Sequence, residues 1–250
     1  MQESVEGIVV REKDYGESSK IIDIITIKYG LISVISKGSK KIKSSLSGVS
    51  SKLTYGVFHI YYKENKLSTL ISVDVINNFR EIKRDIIKIG YATYLCELVE
   101  QVVKQINSKI EKEEIYNIFS SSILKINEGF DSMVITNIVE LKLLDYLGVK
   151  PVINECIMCG NKTDILTLSA DKGGLLCIQC NGIEKNVDSK TIKFIRMLYY
   201  VDISKISKLD VSNIVKKEIN DFMNEYYDKH TGLYLKSKTF LSNIYSSKMK

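Results

Sequence analysis

Apolar and polar residues alternate in short runs over the first 76 residues, which is typical of strands that bury one face. The runs are rich in β-branched and aromatic residues, and glycine, asparagine and charged residues separate them as turns. The pattern predicts five strands, at 5–11, 21–28, 31–36, 55–62 and 67–76. Five short strands fit a small barrel, either an OB-fold with its long connection between strands three and four or an SH3-like barrel.

From Phe79 onward the apolar residues recur at steps of three and four, which predicts helices. The first stripe runs unbroken from Phe79 to Val103 and predicts one long amphipathic helix. The segment 133–147 is apolar on several sides, so we expect it at the centre of the helical domain, ended by Gly148. Further helices are predicted at 115–126, 189–201 and 211–229.

Four of the five cysteines form two Cys-x-x-Cys pairs, and 17 residues separate Cys159 from Cys177. This spacing is typical of a zinc site with four thiolate ligands, here Cys156, Cys159, Cys177 and Cys180. Four sulfurs leave no open position on the metal, so the site is predicted to stabilise the fold rather than to catalyse. An iron–sulfur cluster, a pair of disulfides and a thiol oxidoreductase remain the alternatives.

Glycines flank the two cysteine pairs, and the fifth cysteine stands apart from them. Gly160 and Gly182 supply the flexible backbone that a sharp turn around a metal requires. Gly173 and its neighbour Gly174 are placed to close a small hairpin between the pairs. Cys96 lies in an apolar helical stretch and is predicted to be a buried core thiol rather than a nucleophile.

The charge balance is mildly basic, with 36 Lys and Arg against 30 Asp and Glu, a net charge of +6 and a pI near 8.8. Only four basic residues are arginine, so binding to a polyanion is expected to have little sequence specificity. The densest basic cluster lies in the long connection of the predicted barrel, at Lys37, Lys40, Lys41 and Lys43. Such a serine- and glycine-rich loop is either a solvated surface loop or a segment that wraps a phosphate backbone.

The C-terminal segment 229–250 is the second basic region, with five Lys, one His and no acid. Lys236 and Lys238 alternate there with aromatic residues, a combination that can bind phosphates and stack bases. The alternative is a frayed basic terminus. Outward-facing aromatics among Tyr55, Phe58, Tyr61 and Tyr62 are further candidates for base stacking.

Catalytic motifs are not apparent. There is no Walker-type or Gly-x-Gly-x-x-Gly loop, and neither His59 nor His230 lies beside a nucleophile or carboxylate in a recognisable motif. We therefore expect a binding protein rather than an enzyme. No apolar run approaches the roughly 18 residues needed to cross a bilayer, and the N-terminus lacks a signal sequence, so a cytoplasmic location is expected.

Several short motifs resemble, in order and spacing, the RecO family of bacterial DNA repair proteins. They are Gly-Ile-Val-Val at 7–10, Tyr-Gly-Glu-Ser-Ser-Lys at 15–20, Tyr-Gly-Leu at 29–31, Lys-Gly at 37–38, Leu-Asp-Tyr-Leu-Gly-Val-Lys-Pro at 144–151, Cys-Ile-Met-Cys-Gly at 156–160 and Leu-Lys-Ser-Lys-Thr-Phe-Leu at 235–241. The resemblance extends over nearly the whole chain.

The resemblance implies an α+β multidomain protein, in which an N-terminal five-stranded OB-fold β-barrel precedes a helical domain carrying an inserted four-cysteine zinc module. The corresponding boundaries are 1–77 for the OB-fold, 78–155 and 183–250 for the two parts of the helical domain, and 156–182 for the zinc module. One structural Zn²⁺ is the implied cofactor. No small-molecule substrate and no membrane partner are implied.

In function, the resemblance implies a recombination mediator that binds single- and double-stranded DNA and anneals complementary strands. Together with RecR and RecF, such proteins help load the recombinase RecA on DNA coated by single-strand-binding protein (SSB), whose acidic C-terminal tail some of them bind. This implies a cytoplasmic, nucleoid-associated protein. The alternative is a zinc-ribbon factor of transcription or translation that binds RNA or another protein.

The family's DNA contacts fall on basic residues after the Lys-Gly step, which places them here at Lys37, Lys40, Lys41 and Lys43. Lysines stand where the family often has arginines, so charge is kept while bidentate phosphate contacts are in doubt. Three further residues complete the candidate DNA-binding set, namely Arg11, Lys236 and Lys238.

Overall fold

A computed structural model describes residues 1–241, which form two compact units. One unit contains Met1–Gly129 and the C-terminal segment that begins at Leu235, and the other is Phe130–Tyr234. The domain boundaries given above stay a prediction.

The N-terminal part of the first unit is a closed five-stranded barrel. Its strands are β1 (Gln2–Tyr15), β2 (Ser19–Thr26), β3 (Gly30–Ser36), β4 (Tyr55–Tyr61) and β5 (Ser68–Asn77). They follow the order β1-β2-β3-β5-β4, and β4 pairs back with β1 to close the barrel. Only the short β3–β5 pairing is parallel, whereas the other pairings are antiparallel. The predicted strands and the OB-fold are confirmed.

Strand alternation builds the core of the barrel. On β3, Ile32 and Val34 point inward and pack with Phe58 and Ile60 of β4, all of them buried. At Gly56 a Cβ atom would lie 2.5 Å from the backbone oxygen of Asp74, so the close approach of β4 and β5 requires glycine there.

Three helices follow the barrel in the same unit: α1 (Arg80–Lys83), α2 (Ile86–Gln105) and α3 (Lys109–Glu128). The prediction of one continuous helix from Phe79 is therefore wrong. A new helix, α2, begins after Asp85. The Asp85 carboxylate caps it by accepting hydrogen bonds from the backbone N–H groups of Ile87 and Lys88. The apolar period continues across this break, so periodicity alone does not reveal it.

A shared carboxylate fastens α3 to the barrel. Glu6 Oε1 accepts hydrogen bonds from the Tyr55 hydroxyl at 2.7 Å and from the Tyr116 hydroxyl at 2.9 Å. Burial and the bond to Glu6 raise the pKa of both tyrosines, that of Tyr55 to about 12. Both phenols therefore remain protonated donors at neutral pH.

The second unit combines helices with a small sheet. Its elements are α4 (Ser132–Tyr146), β6 (Val152–Cys156), β7 (Ile165–Ser169), β8 (Gly174–Cys177), α5 (Ser189–Tyr200) and α6 (Asn213–His230). The helix α4 contacts both α5 and α6, and Tyr227 of α6 donates to the Glu140 backbone oxygen of α4 at 2.9 Å. The predicted hairpin is confirmed, because β7 and β8 are antiparallel and Gly173 has a φ of 88° in the turn between them.

Candidate metal centre and nucleic-acid interface

Two neighbouring strands carry the first cysteine of each pair to the same edge of the small sheet. The strands β6 and β8 are parallel, and they end at Cys156 and Cys177 respectively. Each cysteine begins a tight turn: the N–H of Gly160 donates to the Cys156 oxygen at 2.8 Å, and that of Cys180 donates to the Cys177 oxygen at 3.1 Å. Two turns starting at one sheet edge bring all four sulfurs together.

The four Sγ atoms lie within 4.8 Å of one another, and those of Cys159 and Cys177 are 3.6 Å apart. Metal–sulfur bonds of about 2.3 Å in a tetrahedron require sulfur–sulfur separations of about 3.8 Å, so the cluster has the size of a four-thiolate site. All four cysteines are free thiols, and a disulfide would need a separation of about 2.05 Å. The cluster can therefore hold one metal ion.

The electrostatics of the cluster favour thiolates next to a cation. Burial opposes ionisation of Cys156, but hydrogen bonds from the backbone N–H groups of Cys177, Cys159 and Met158 lower its pKa to about 6. Its neighbour Cys180 interacts with the Cys159 thiol, which raises the pKa of Cys180 to about 12. Without a cation, one negative charge thus discourages the next, and a divalent metal relieves that repulsion.

The hydrophobic core around the cysteines is small. It consists of the buried residues Cys156, Leu176 and Cys177, with a few half-buried side chains packed against them. A metal ion held by the four thiolates would add stabilisation to this segment, and the donor set fits such an ion.

The basic loop, defined as residues 37–43, begins directly after β3 and is anchored to the barrel. Gly38 adopts a φ of 69° and its N–H donates to the Ser19 hydroxyl, while the Lys40 N–H donates to the Ser18 backbone oxygen at 2.9 Å. The Ser39 side chain is buried and bonds to the Ser36 backbone oxygen. The serines and glycine thus form specific contacts that fix the start of the loop.

The four lysines of the loop are exposed, but they differ in their neighbours. Lys40 Nζ lies 2.7 Å from the Asp14 carboxylate at the end of β1. Within residues 1–241, Lys37, Lys41 and Lys43 form no ion pair. Between the last two, the Ile42 side chain is 99% exposed, so an apolar group stands among ammonium groups at the surface.

Arg11 already binds two carboxylates. Its Nε lies 2.6 Å from Asp23 Oδ2 and 3.4 Å from Glu100 Oε1, and Asp23 is buried. The positive charge of Arg11 therefore compensates the negative charge of the buried Asp23 carboxylate. The Arg11 side chain is nevertheless 56% exposed, so its role in DNA binding stays a prediction.

Within the described residues, the basic C-terminal segment is held by hydrogen bonds where Lys236 and Ser237 meet α2. Glu97 of α2 accepts hydrogen bonds from the backbone N–H groups of Lys236 and Ser237 and from the Ser237 hydroxyl, and Leu235 is buried. Lys236 is exposed and Lys238 is half-buried. The last nine residues, 242–250, lie outside the described part of the chain.

Lys229 belongs to α6 rather than to a tail. Its ammonium lies 2.8 Å from Glu225 of the same helix and 3.2 Å from Asp171. The segment 229–250 contains no acidic residue, but the fold places Glu225 and Asp171 beside its first lysine, Lys229.

Comparison with known proteins identifies the family to which the chain belongs. A family model described as the recombination protein O N-terminal domain matches residues 1–79, and one described as its C-terminal domain matches residues 83–239. The chain belongs to the RecO family. It is 34% identical over 245 residues to a protein of Listeria monocytogenes serotype 4b called DNA repair protein RecO, covering 97% of this chain and 94% of the relative. To the protein of the same name from Bacillus subtilis it is 34% identical over 248 residues, covering 97% and 95%.

RecO is a DNA repair and recombination family. The four aromatic candidates on β4 and directly after it differ in their surroundings. Phe58 is in the core, Tyr55 is held by Glu6, and Tyr62 stacks on Tyr29 with ring centres 4.1 Å apart. Of the four, Tyr61 is the most exposed, at 53%.

One polar constellation in this RecO-family barrel was not apparent from the sequence. His59 Nδ1 lies 2.8 Å from Ser4 Oγ, and His59 Nε2 lies 2.8 Å from Asp74 Oδ2. The carboxylate of a hydrolytic triad is buried, whereas the Asp74 side chain is 78% exposed. The three side chains come from β1, β4 and β5, and we assign them to linking these strands.

No helix in the described part of this RecO-family chain has the length and apolar character needed to cross a membrane.

Proposed function

We propose that the protein is a recombination mediator that binds single- and double-stranded DNA with little sequence preference. On this proposal it anneals complementary strands and, together with RecR and RecF, helps load RecA on SSB-coated DNA. Membership of a DNA repair and recombination family supports this role. The family consists of recombination mediators rather than catalytic enzymes, so no bond-making chemistry is proposed.

The observation that carries the proposal is the anchored, lysine-rich loop on the barrel. Its exposed ammonium groups offer point charges to phosphates without the planar geometry that reads guanine edges. Because the loop is fixed at its start by the Ser18, Ser19 and Ser36 contacts, binding costs less conformational entropy than binding by a free loop would.

Annealing follows from charge neutralisation. Two complementary strands repel each other through their phosphates, and a basic surface that contacts both lowers this repulsion. Each neutralised phosphate also releases counterions, which favours binding at low salt. Arg11, Lys236 and Lys238 are proposed to extend the surface beyond the loop.

For the metal centre we propose one structural Zn²⁺, held by Cys156, Cys159, Cys177 and Cys180. Bound there, zinc would stabilise the turns that follow β6 and β8, and four sulfur ligands leave it no site for substrate. The proposed protein partners are RecR, RecF, RecA and the SSB C-terminal tail, and the proposed location is the cytoplasm, in association with the nucleoid.

The test reverses charge in the loop. Reversing Lys40 and Lys41 together should weaken binding to DNA of any sequence and lower its salt dependence. The double variant K41E/K43E is sharper, because it avoids the lysine already paired with Asp14. Each lost phosphate contact should lower the slope of log affinity against log salt by about 0.9 for duplex and about 0.7 for single strands.

The matched control is K190E/K193E, which makes the same charge change at exposed positions of α5. Binding that is equally weak in both variants would indicate a general charge effect, and unchanged binding in K41E/K43E would remove the loop from the site. Competition between single-stranded DNA and structured RNA at fixed salt tests the zinc-ribbon alternative, which predicts a preference for RNA.

A further inference from the structure

The four sulfurs of the candidate metal centre differ in how far solvent reaches them. Cys156 and Cys177 are each 1% exposed, Cys180 is half-buried and Cys159 is exposed. Oxidation of a cysteine requires access to its sulfur as well as thiolate character. Cys159 is therefore the member of the cluster that a dissolved oxidant reaches first.

A second sulfur lies close to that of Cys159, and it belongs to the other cysteine pair. Cys177 Sγ is 3.6 Å from Cys159 Sγ. An approach of about 1.5 Å brings these two atoms to the length of a disulfide bond. Because Cys177 ends β8 and Cys156 ends the parallel neighbour β6, the turn that carries Cys159 starts beside Cys177. The fold thus places a thiol from one turn next to the exposed thiol of the other.

The fifth cysteine is not a member of this cluster. Cys96 is 0% exposed on α2, and the group of metal-ligating side chains consists of the other four cysteines. Its burial protects the Cys96 sulfur from a dissolved oxidant. Cys96 is therefore an internal reference against which the reactivity of Cys159 can be measured.

We propose that Cys159 is a site of oxidative modification by peroxides and that Cys177 converts the oxidised form into a disulfide. The inference rests on the proposed structural zinc ion and adds to it a chemical signal that removes the ion. A disulfide between the two pairs consumes two of the four ligands. The remaining thiols, Cys156 and Cys180, are too few for a tetrahedral four-thiolate site, so oxidation releases the metal.

The reaction takes two steps. The Cys159 thiolate attacks one oxygen of hydrogen peroxide, the O–O bond breaks, and Cys159 becomes a sulfenic acid while the leaving hydroxide takes up a proton to form water. The Cys177 thiolate then attacks the Cys159 sulfur, the S–O bond breaks, and a second hydroxide leaves and is protonated to water. The two sulfurs together lose two electrons, which the peroxide gains.

The disulfide keeps one connection between the two turns and gives up the others. It joins the turn after β6 to the end of β8, so the edge of the small sheet stays linked. The turn after β8 then depends on the N–H groups of Cys180 and Asn181, which donate to the Cys177 backbone oxygen at 3.1 and 2.9 Å. We expect hydrogen exchange at these two amides to accelerate on oxidation, because the metal no longer holds the Cys180 sulfur.

The test follows the metal and the thiols together in the full-length protein. Hydrogen peroxide at one equivalent per chain should release about one zinc ion per chain, measured with a chromogenic zinc chelator, and dithiothreitol with added zinc should restore the bound metal. The remaining thiols are then alkylated and the protein is digested with trypsin. The first cysteine pair falls in peptide 143–162 and the second in peptide 173–185, so only a disulfide between the pairs joins two peptides.

Fragmentation of the joined peptides should assign the bond to Cys159 and Cys177, with Cys96 still alkylated as a free thiol. Dimedone, which traps sulfenic acids, should label Cys159 and lower the yield of joined peptides. These measurements use the unaltered chain, so they do not depend on a ligand variant that folds without its metal.

Two control variants separate this route from other oxidations. Met158 is 61% exposed and stands next to Cys159, so its thioether competes for peroxide. M158L removes this competitor and should release zinc as the wild type does. C96A should also release zinc as the wild type does, because Cys96 lies outside the cluster.

The outcomes distinguish the two proposals. Protein that contains no metal before treatment overturns the structural zinc ion, and this inference with it. Four results overturn the modification site and leave the structural ion intact: zinc that stays bound in excess peroxide, a disulfide within either Cys-x-x-Cys pair, dimedone on another cysteine, or zinc release that M158L abolishes.

Discussion

Asp14 and Lys40 form an ion pair across 2.7 Å between the end of β1 and the basic loop. The hydrogen bond from Lys40 lowers the pKa of Asp14, so the carboxylate stays charged at neutral pH. The pair is exposed and contributes little to stability, but it occupies one of the four lysines proposed to bind phosphate. On the proposed function, Asp14 would therefore compete with DNA for Lys40.

Removing this competitor should strengthen DNA binding. We expect D14N to raise the affinity for single strands and duplex alike by about two- to fivefold at low salt, the range of an exposed ion pair. Fluorescence anisotropy at two salt concentrations measures this. D210N removes one negative charge at another exposed position and is the control. Equal gains in both variants would show that net charge alone is responsible.

Metal removal should unfold the segment around the cysteines. We expect about one zinc ion per chain by elemental analysis, and its loss in C156S should expose residues 152–182 to protease, since metal binding supplies their folding energy. C96A is the matched control. The Cys96 thiol is buried, and this burial raises its pKa to about 12, so the thiol stays protonated at neutral pH. Wild-type protein that is free of metal and resists protease would contradict the prediction.

Glu97 should fix the start of the C-terminal segment. In E97Q we expect hydrogen exchange at Lys236 and Ser237 to accelerate about fivefold, corresponding to the roughly 1 kcal/mol of a helix N-cap. E113Q changes an exposed glutamate of α3 and should leave this exchange unchanged. If E97Q behaves like E113Q, the carboxylate does not hold the segment.

The Glu97 contact also has a defined pH dependence. Burial raises its pKa, but the hydrogen bonds from Ser237 and Lys236 outweigh this effect and lower the pKa below the ordinary value of 4.5. The folded state thus favours the charged form, so its stabilisation is complete above pH 4.5 and is lost as the pH falls through the lowered value. The difference between wild type and E97Q should accordingly shrink toward pH 3.

The attachment of α3 to the barrel should depend on the Tyr116 hydroxyl. We expect Y116F to lower the free energy of unfolding by about 1–2 kcal/mol, because the half-buried Glu6 carboxylate loses the hydrogen bond that the Tyr116 hydroxyl donates. Urea unfolding followed by tyrosine emission measures this, with Y61F at an exposed ring as control. In Y55F/Y116F the loss should exceed the sum of the single losses, since Glu6 then keeps neither phenol.

The barrel was predictable because its signals are local. Alternation on β3 assigns Ile32 and Val34 to the core, and the glycine at position 30 ends the preceding turn. The cluster of four cysteines was predictable for the same reason, since the spacing of Cys156 and Cys159 is a property of the chain. The break at Asp85 was not, because the apolar period continues through it.

The sequence by itself thus determined the strand pattern, the candidate ligand set of four cysteines, the basic loop and the resemblance to the RecO family. Only the tertiary structure decided which charges remain available: it pairs Lys40 with Asp14 and Arg11 with Asp23. It also brings Lys112 against the turn at Gly30, 82 positions away in the chain. Periodicity and spacing act between near neighbours, whereas electrostatic contacts depend on distances in space, which pairing of the strands and packing of α3 establish.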